Sequence, residues 1–545
     1  MTDNLQDLLV NPIIECAGDL ISNLRTNLEQ KPGESFNISR DSFAEFPGIG
    51  LRRSARLPVL AALHTELQVP ILLITDRTDH ALSLHDELGI LAPNAKRLFF
   101  PEPGPLFYED TPWGERTRRD RLLVLTQLAA YHLPGQHYQD SAPVIIAPAH
   151  AIITRTLTRR EFLKSVRILK AHQEYPLERL IRLLISRGYE PVNTVIAPGQ
   201  FARRGGIIDL WPPSEFNPVR LDFFGDEIDS LRYFDPPTQR STNKIEQLLV
   251  SPAREFIVPE ESAGSGYEDN PYSEFHIPVL HTSPASLLDY LPRKALVLLD
   301  NHENIKDSIN AIEEQAVERR AEQIGEKSLP EDFPIPYLSL GELQDSMSSH
   351  HTIELGSSVM VETTSFSQRF TSGPRFGGQL KPLLEHLSQH TNKSDRMVIV
   401  SRQAARLQEL WSEITTHNLE NRKAPTFIEG SLTEGWIMTQ PSCPPLHLLT
   451  DGEIFGWRRP EPRQRHRALA EAPEAAYTDL AVGSWVVHVD HGVGRFLGLV
   501  NRAVDGVDRD YLTIEYAEGD QLYVPVHQAD RVSKYIGSDK RSPTP

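Results

Sequence analysis

Residues 200–241 read QFARRGGIIDLWPPSEFNPVRLDFFGDEIDSLRYFDPPTQRS, and their centre has the pattern of a β-hairpin. Val219 to Phe224 alternates, Gly225-Asp226 supplies a two-residue turn, and Glu227 to Phe234 returns. Period-2 geometry puts Val219, Leu221 and Phe223 on one face, and Arg220, Asp222 and Phe224 on the other. The first face is core. The second sets an Arg, an Asp and a Phe on the solvent side, and an exposed aromatic beside an Arg is the composition of a binding hot spot. The same residues also admit a plainer account, with Phe224 packed under a neighbouring loop and Arg220 paired with Asp222.

Working outward, 545 residues are enough for several domains, each with its own core. A hydrophobic fraction of 39% and a charged fraction of 24% are those of ordinary globular protein. The net charge of −18 argues against wrapping nucleic acid by general electrostatics, which needs clustered Lys and Arg. The charge is uneven, however: 151–204 holds eleven Lys/Arg against four Asp/Glu, a basic island that suits either an acidic partner or a solvated face. Cys16 and Cys443 stand far apart with no CxxC spacing, so neither a disulfide framework nor a zinc site follows. The acidic start MTDNLQDLLV is not a secretory signal, and no apolar run reaches spanning length. The expected compartment is the cytoplasm.

Before the hairpin, helices and strands alternate as in a parallel α/β sheet: helix 54–67, strand 69–75, helix 79–88, strand 96–100, helix 117–131 and strand 143–147. Gly48-Ile49-Gly50 stands where a phosphate loop would, but it continues as Leu51-Arg52-Arg53-Ser54 and no GK[ST] occurs in the chain. A P-loop needs that Lys for the β/γ phosphates and that hydroxyl for magnesium. Ala295 to Asp300 (ALVLLD) has the look of a Walker-B strand, yet Asn301 follows where a Glu belongs, and a buried parallel strand is the simpler reading. A helix near 176–187 lies in the basic island, 304–323 is a charged amphipathic helix, and 380 to about 457 alternates again as a second small α/β unit. The Arg- and Pro-rich run 458–472 reads as a linker. Beyond 477, short strands at 485–489, 494–500, 511–516 and 521–525, with turn glycines between them and a terminal helical turn at 529–535, suggest a small β-barrel. His488 and His491 flank Asp490, but two histidines without a third ligand read as structural, so no metal is expected.

Two stretches resemble known families. Arg204-Gly205, the strand Ile207 to Leu210 and the run Arg220 to Ile228 resemble the UvrB-homology module shared by excision-repair UvrB proteins and transcription-repair coupling factors. That resemblance implies docking onto UvrA, with the contacts falling on Arg204, Arg220 and Phe224. The phrase VVHVDHGVGRFLGL…DYLTIEYAEGDQLYVPV resembles the polymerase-interacting barrel of CarD-like regulators and of the same coupling factors. It implies binding to the RNA polymerase β subunit by edge-strand addition, with Leu499, Val500 and Arg502 at the contact.

The order of the two modules, with a decayed phosphate loop before them, resembles the N-terminal half of a transcription-repair coupling factor. The expected architecture is multidomain α/β: a degenerate P-loop-like UvrB-type domain in two parts (1–160 and 251–378), an inserted α/β module (161–250) and a second small α/β domain (379–457). A linker (458–476), a Tudor/SH3-like all-β barrel (477–537) and a disordered tail (538–545) complete it. In the family an ATP-driven DNA translocase follows the barrel, so the resemblance implies a fragment or truncated gene product, an adaptor and not an enzyme. It implies no cofactor here, ATP and magnesium belonging to the motor, and DNA contact only through that motor. Two alternatives remain: a CarD-like transcription regulator and a UvrB-like nucleotide-dependent repair enzyme.

Overall fold

The computed structural model describes residues 5–30, 46–104, 113–133, 142–257, 273–281, 283, 285–356, 366–392, 395–415, 424–440, 443–457, 483–488, 492–504, 507–516, 520–525 and 532–534. The linker expected at 458–476, the tail at 538–545, and Asp490 and His491 lie outside them. The chain clusters into two compact units, one of 1–167, 186–188 and 250–463, the other of 168–185, 189–249 and 464–545.

The first unit is built on a parallel sheet in the order His351–Glu354, Leu296–Leu299, Ile71–Thr75, Val144–Pro148, Arg97–Phe99. Its inner strands, ILLIT, VIIAP and LVLL, are buried at every position, because helices cover both faces of a parallel sheet. Helices Arg53–Leu67, Thr78–Leu91 and Glu115–Ala130 belong to this layer. Deep within the unit, Arg121 is fully buried and donates to Glu255, also fully buried, at 2.6 and 3.1 Å, with its guanidinium 4.1 Å from the Phe100 ring centre.

A second sheet runs Phe370–Thr371, Trp436–Gln440, Cys443–Thr450, Arg396–Ser401, Thr426–Glu429. Alternation along it serves two cores. Val398, Val400, Leu446 and Leu448 join a cluster that also holds Ile71, Leu73 and Leu298 of the first sheet. Met397, Ile399 and Leu449 pack on the other side with Leu383, Leu387, Leu407 and Trp411, from helices Leu380–Asn392 and Ala404–Thr415. The two α/β layers thus share one continuous apolar core.

In the second unit, the inserted module is a six-stranded sheet in the order Ser241–Ile245, Glu227–Phe234, Val219–Phe224, Ile207–Leu210, Gln200–Arg204, Glu190–Pro191. Helix Leu177–Ser186 buries Leu177, Leu180 and Leu184, a stripe at helical spacing. Strands Arg167–Lys170 and Gln247–Val250, at the module's entry and exit, pair as a two-stranded sheet. The last segment is a five-stranded antiparallel sheet in the order Gln521–Pro525, Val507–Glu515, Gly492–Val504, Trp485–His488, Val532–Lys534 around Val486, Phe496, Leu512, Ile514 and Val524. Here one expectation is corrected: Val532–Lys534 is not a helical turn but a strand, pairing with Trp485–His488. No helix among the described residues is long and apolar enough to cross a membrane.

Candidate functional site

The hairpin turn at Phe224-Gly225-Asp226-Glu227 has Gly225 at φ +64° and pairs Phe224 with Glu227. Positive φ at the first central residue alone is the type II′ pattern, which selects Gly there. A second tight turn at Gly205-Gly206, with Gly205 also at φ +64°, joins Gln200–Arg204 to Ile207–Leu210. Gly206 O accepts from Phe223 N at 2.8 Å, so the two turns sit side by side. Arg204-Gly205 and Phe223-Phe224-Gly225 thus meet at one sheet end, where each glycine satisfies a backbone need.

The three residues assigned to UvrA contact occupy different settings. Phe224 is 82% exposed at the tip, its ring left open among the described residues. Arg204 is exposed and reaches Asn193 O at 3.3 Å and Thr194 Oγ1 at 3.4 Å. Arg220 is largely interior. It pairs with Asp209 through two hydrogen bonds, Nε to Oδ1 at 2.7 Å and Nη2 to Oδ2 at 2.9 Å, and Asp209 has no exposed surface. The guanidinium also donates to Gln239 O at 3.3 Å and lies 4.9 Å from the Phe234 ring centre. The bond to Asp209 raises the Arg220 pKa above its ordinary value. The pairing of Arg220 with Asp222 is therefore corrected. Asp222 bonds to Ser230 at 2.7 Å and to Arg232 instead. Burial pushes the Asp222 carboxyl up, but those bonds and the Arg232 and Arg220 charges outweigh it and hold it below its usual range. The register Asp209↔Arg220 across adjacent strands makes this choice.

In the last sheet, Leu499, Val500 and Arg502 lie on strand Gly492–Val504 and pair with Leu512, Tyr511 and Arg509. The opposite edge of that strand is covered by Trp485–His488 only along Gly492 to Arg495, and by Ser484 and Gly483 at Phe496. From Leu497 onward it meets no second strand among the described residues. The change coincides with a bulge between Phe496 and Gly498, where Gly498 has φ +128° and Leu497 turns outward, 36% exposed. A bulge bends its strand and ends pairing on one side.

The end of the parallel sheet is arranged differently. Gly48 bridges Glu354, Ile49 N donates to Glu354 O at 2.9 Å and Leu51 N to Leu355 O at 2.7 Å, so the degenerate loop lies as an extra edge beside His351–Glu354. Arg56, in the first turns of the next helix, donates to Asp300 Oδ2 at 2.9 Å and to Leu51 O at 3.3 Å, in a largely buried pair. A Cβ on Gly356 would collide with Leu51 O and the Arg56 guanidinium. Asn301 caps helix His302–Gly325, accepting from Asn304 N at 3.1 Å. Asp300 is thus held by a cation of the chain itself.

One cluster carries metal-ligand chemistry that the sequence reading did not single out: His390, Asp395 and His447, with His386 beside them. Burial and the neighbouring His390 and His447 rings push His386 down to about 4. The HxxxH spacing of His386 and His390 was the available signal. His488 lies in strand Trp485–His488, where its backbone pairs with Gly492 and Val532.

Against known proteins, residues 168–256 match the model of the UvrB interaction domain and residues 480–536 that of the CarD-like/TRCF RID domain. The transcription-repair-coupling factor of Bacillus subtilis (strain 168) is 29% identical over 555 residues, covering 91% of this chain and 45% of its own length. Those of Staphylococcus aureus (strain MRSA252) and Staphylococcus haemolyticus (strain JCSC1435) are each 25% identical with the same coverage. The chain spans about half the length of the curated relatives it matches. In its two matched domains and its extent, it is similar to the N-terminal half of a transcription-repair-coupling factor.

Proposed function

We propose that this chain is a two-handed adaptor that links stalled transcription to nucleotide excision repair. The last sheet, read as a Tudor/SH3-like barrel, adds the free edge of Gly492–Val504 to the RNA polymerase β subunit, with Leu499, Val500 and Arg502 at the junction. The inserted module recruits UvrA through Phe224 and Arg204. Arg220 sets the tip's shape from within, holding the strands on which Phe224 and the Arg204 turn are mounted. The observation that carries this reading is Phe224, a large aromatic left 82% exposed at the tip of a matched UvrB interaction domain. Desolvating such a ring supplies the centre of a hot spot. Motor activity belongs to the longer relatives and is not assigned to these residues.

The test has two arms. The purified chain is titrated against the N-terminal lobe of the polymerase β subunit, with and without residues 477–545, and binding should vanish with the deletion. It is also titrated against UvrA as wild type and as Phe224→Ala. Loss of UvrA binding with the polymerase arm unchanged is expected. Equal UvrA binding by both forms would remove the tip from the interface and favour a regulator acting through the last sheet alone.

A further inference from the structure

Three segments of the first unit bring chemistry-bearing side chains to one end of the second sheet. Helix Leu380–Asn392 carries His386 and His390 four residues apart, so they stack on one helix face. Asp395 immediately precedes strand Arg396–Ser401, and His447 lies on the parallel neighbour Cys443–Thr450, in register with Met397. Alternation decides the direction of His447. Leu446 and Leu448 face the core shared by the two sheets, whereas Met397 and Leu449 face the helix side, and His447 goes with them.

The atoms converge. His390 Nδ1 lies 2.7 Å from Asp395 Oδ2, His447 Nε2 lies 3.5 Å from the same oxygen, and one ligand atom from each of the three residues falls within 4.8 Å of the others. Tetrahedral zinc, with bonds of about 2.0 Å, sets its ligand atoms about 3.3 Å apart, so modest side-chain rotations complete the set. Asp395 is 6% exposed and His447 2%. Among the described residues, the cationic groups in ion-pair reach of Asp395 are these two histidines. A buried carboxylate calls for positive charge. A proton on His390 satisfies one contact, while a dication placed between the three would satisfy the carboxylate and both rings. His386 gives an independent sign: among the described residues its buried Nε2 has no hydrogen-bond partner, and its ring centre is 4.2 Å from that of His390.

We infer that His390, Asp395 and His447 bind a transition-metal dication, Zn2+ by the nitrogen and oxygen character of the donors, with His386 closing the coordination. Four protein ligands make a structural site, one that ties helix Leu380–Asn392 to the strands beneath it. His386 and His390 are half-buried at the rim, which gives the ion its route in.

The test uses the full chain, stripped with a chelator and titrated with Zn2+ by calorimetry and with Co2+ by visible absorption. One ion per chain, the intense bands of tetrahedral Co2+ and a Tm raised by zinc are expected. His390→Ala should weaken zinc binding by more than about 100-fold and His386→Ala by about 10-fold, at or above the usual cost of losing an outer partner. The zinc-free variants should keep the circular dichroism of the stripped wild type, and His390→Gln replaces the alanine variant if that one folds poorly. Substitution of His172, exposed and remote in sequence from the cluster, should change nothing. Absence of binding, an octahedral cobalt spectrum, or affinity unchanged by the His390 substitution overturns the proposal.

Discussion

The hairpin tip at Gly225 and the sheet end at Gly48–Ser54 use similar parts to opposite ends. Both place a glycine of positive φ, Gly225 in one and Gly50 in the other, near an Arg–Asp pair. At the sheet end the pair, Arg56–Asp300, is largely buried beside the loop, and Gly356 packs close against it. At the tip the pair, Arg220–Asp209, is withdrawn one strand inward, and an uncovered aromatic projects beyond it. In the first region polar chemistry has been consumed by the fold. In the second it supports a surface, which is why the chain's recognition chemistry is read at the tip and not at the sheet end.

The comparison can be broken by removing one partner of each pair. The largest effect belongs to Arg220→Ala, which leaves the fully buried Asp209 uncompensated. It should cost the inserted module about 3–5 kcal/mol in denaturant unfolding and abolish UvrA binding through loss of shape. If Arg220→Ala unfolds at the wild-type midpoint, the pair does not hold the tip. Arg56→Ala ranks next, at about 1.5–3 kcal/mol for the first unit, the range of a charged hydrogen bond, since His80 stays within 4.0 Å of Asp300.

Acid should separate the two regions further. His64, buried and bonded through Nε2 to Ala142 O at 2.6 Å, has its pKa lowered by burial against the opposing pull of that carbonyl, and His132 and His281 are likewise lowered, burial first. A depressed folded pKa means that the unfolded chain takes up the proton first. Stability is therefore complete above the ordinary histidine value near 6.5 and is lost as pH falls through the folded values. The inserted module has a single histidine, His172. The first unit should accordingly lose stability first as pH falls below the ordinary histidine value near 6.5, and His64→Gln should flatten its slope; parallel losses in both units would refute this. The smallest effect on stability is that of Phe224→Ala, within about 0.5 kcal/mol. Its effect on UvrA affinity should nonetheless reach about 2 kcal/mol or more. A substitution silent in folding and loud in binding is what distinguishes the tip from the sheet end.

The sequence shows some of this plainly and some not at all, for identifiable reasons. Strand bounds at Val219–Phe224 and Glu227–Phe234 were legible because one face is buried and the turn glycine marks the reversal. Phe224 stood out by its face. The true partner of Arg220 did not, because alternation gives the face of a residue and not the register of the neighbouring strand, and Asp209 comes from a strand beyond the Pro212-Pro213 loop. Val532–Lys534 owes its extended form to pairing with Trp485–His488, a partner far upstream that local propensity does not reveal. The histidine cluster draws on positions 386 to 447, joined only by the parallel pairing of two strands.

The pairing of Arg167–Lys170 with Gln247–Val250 has one more consequence. The chain enters and leaves the inserted module through adjacent ribbons, so the module's two ends lie side by side. Such a segment is a cassette. It can be gained, lost or transplanted between proteins with little disturbance to the host sheet, because its removal asks the host to bridge only the width of a strand pair.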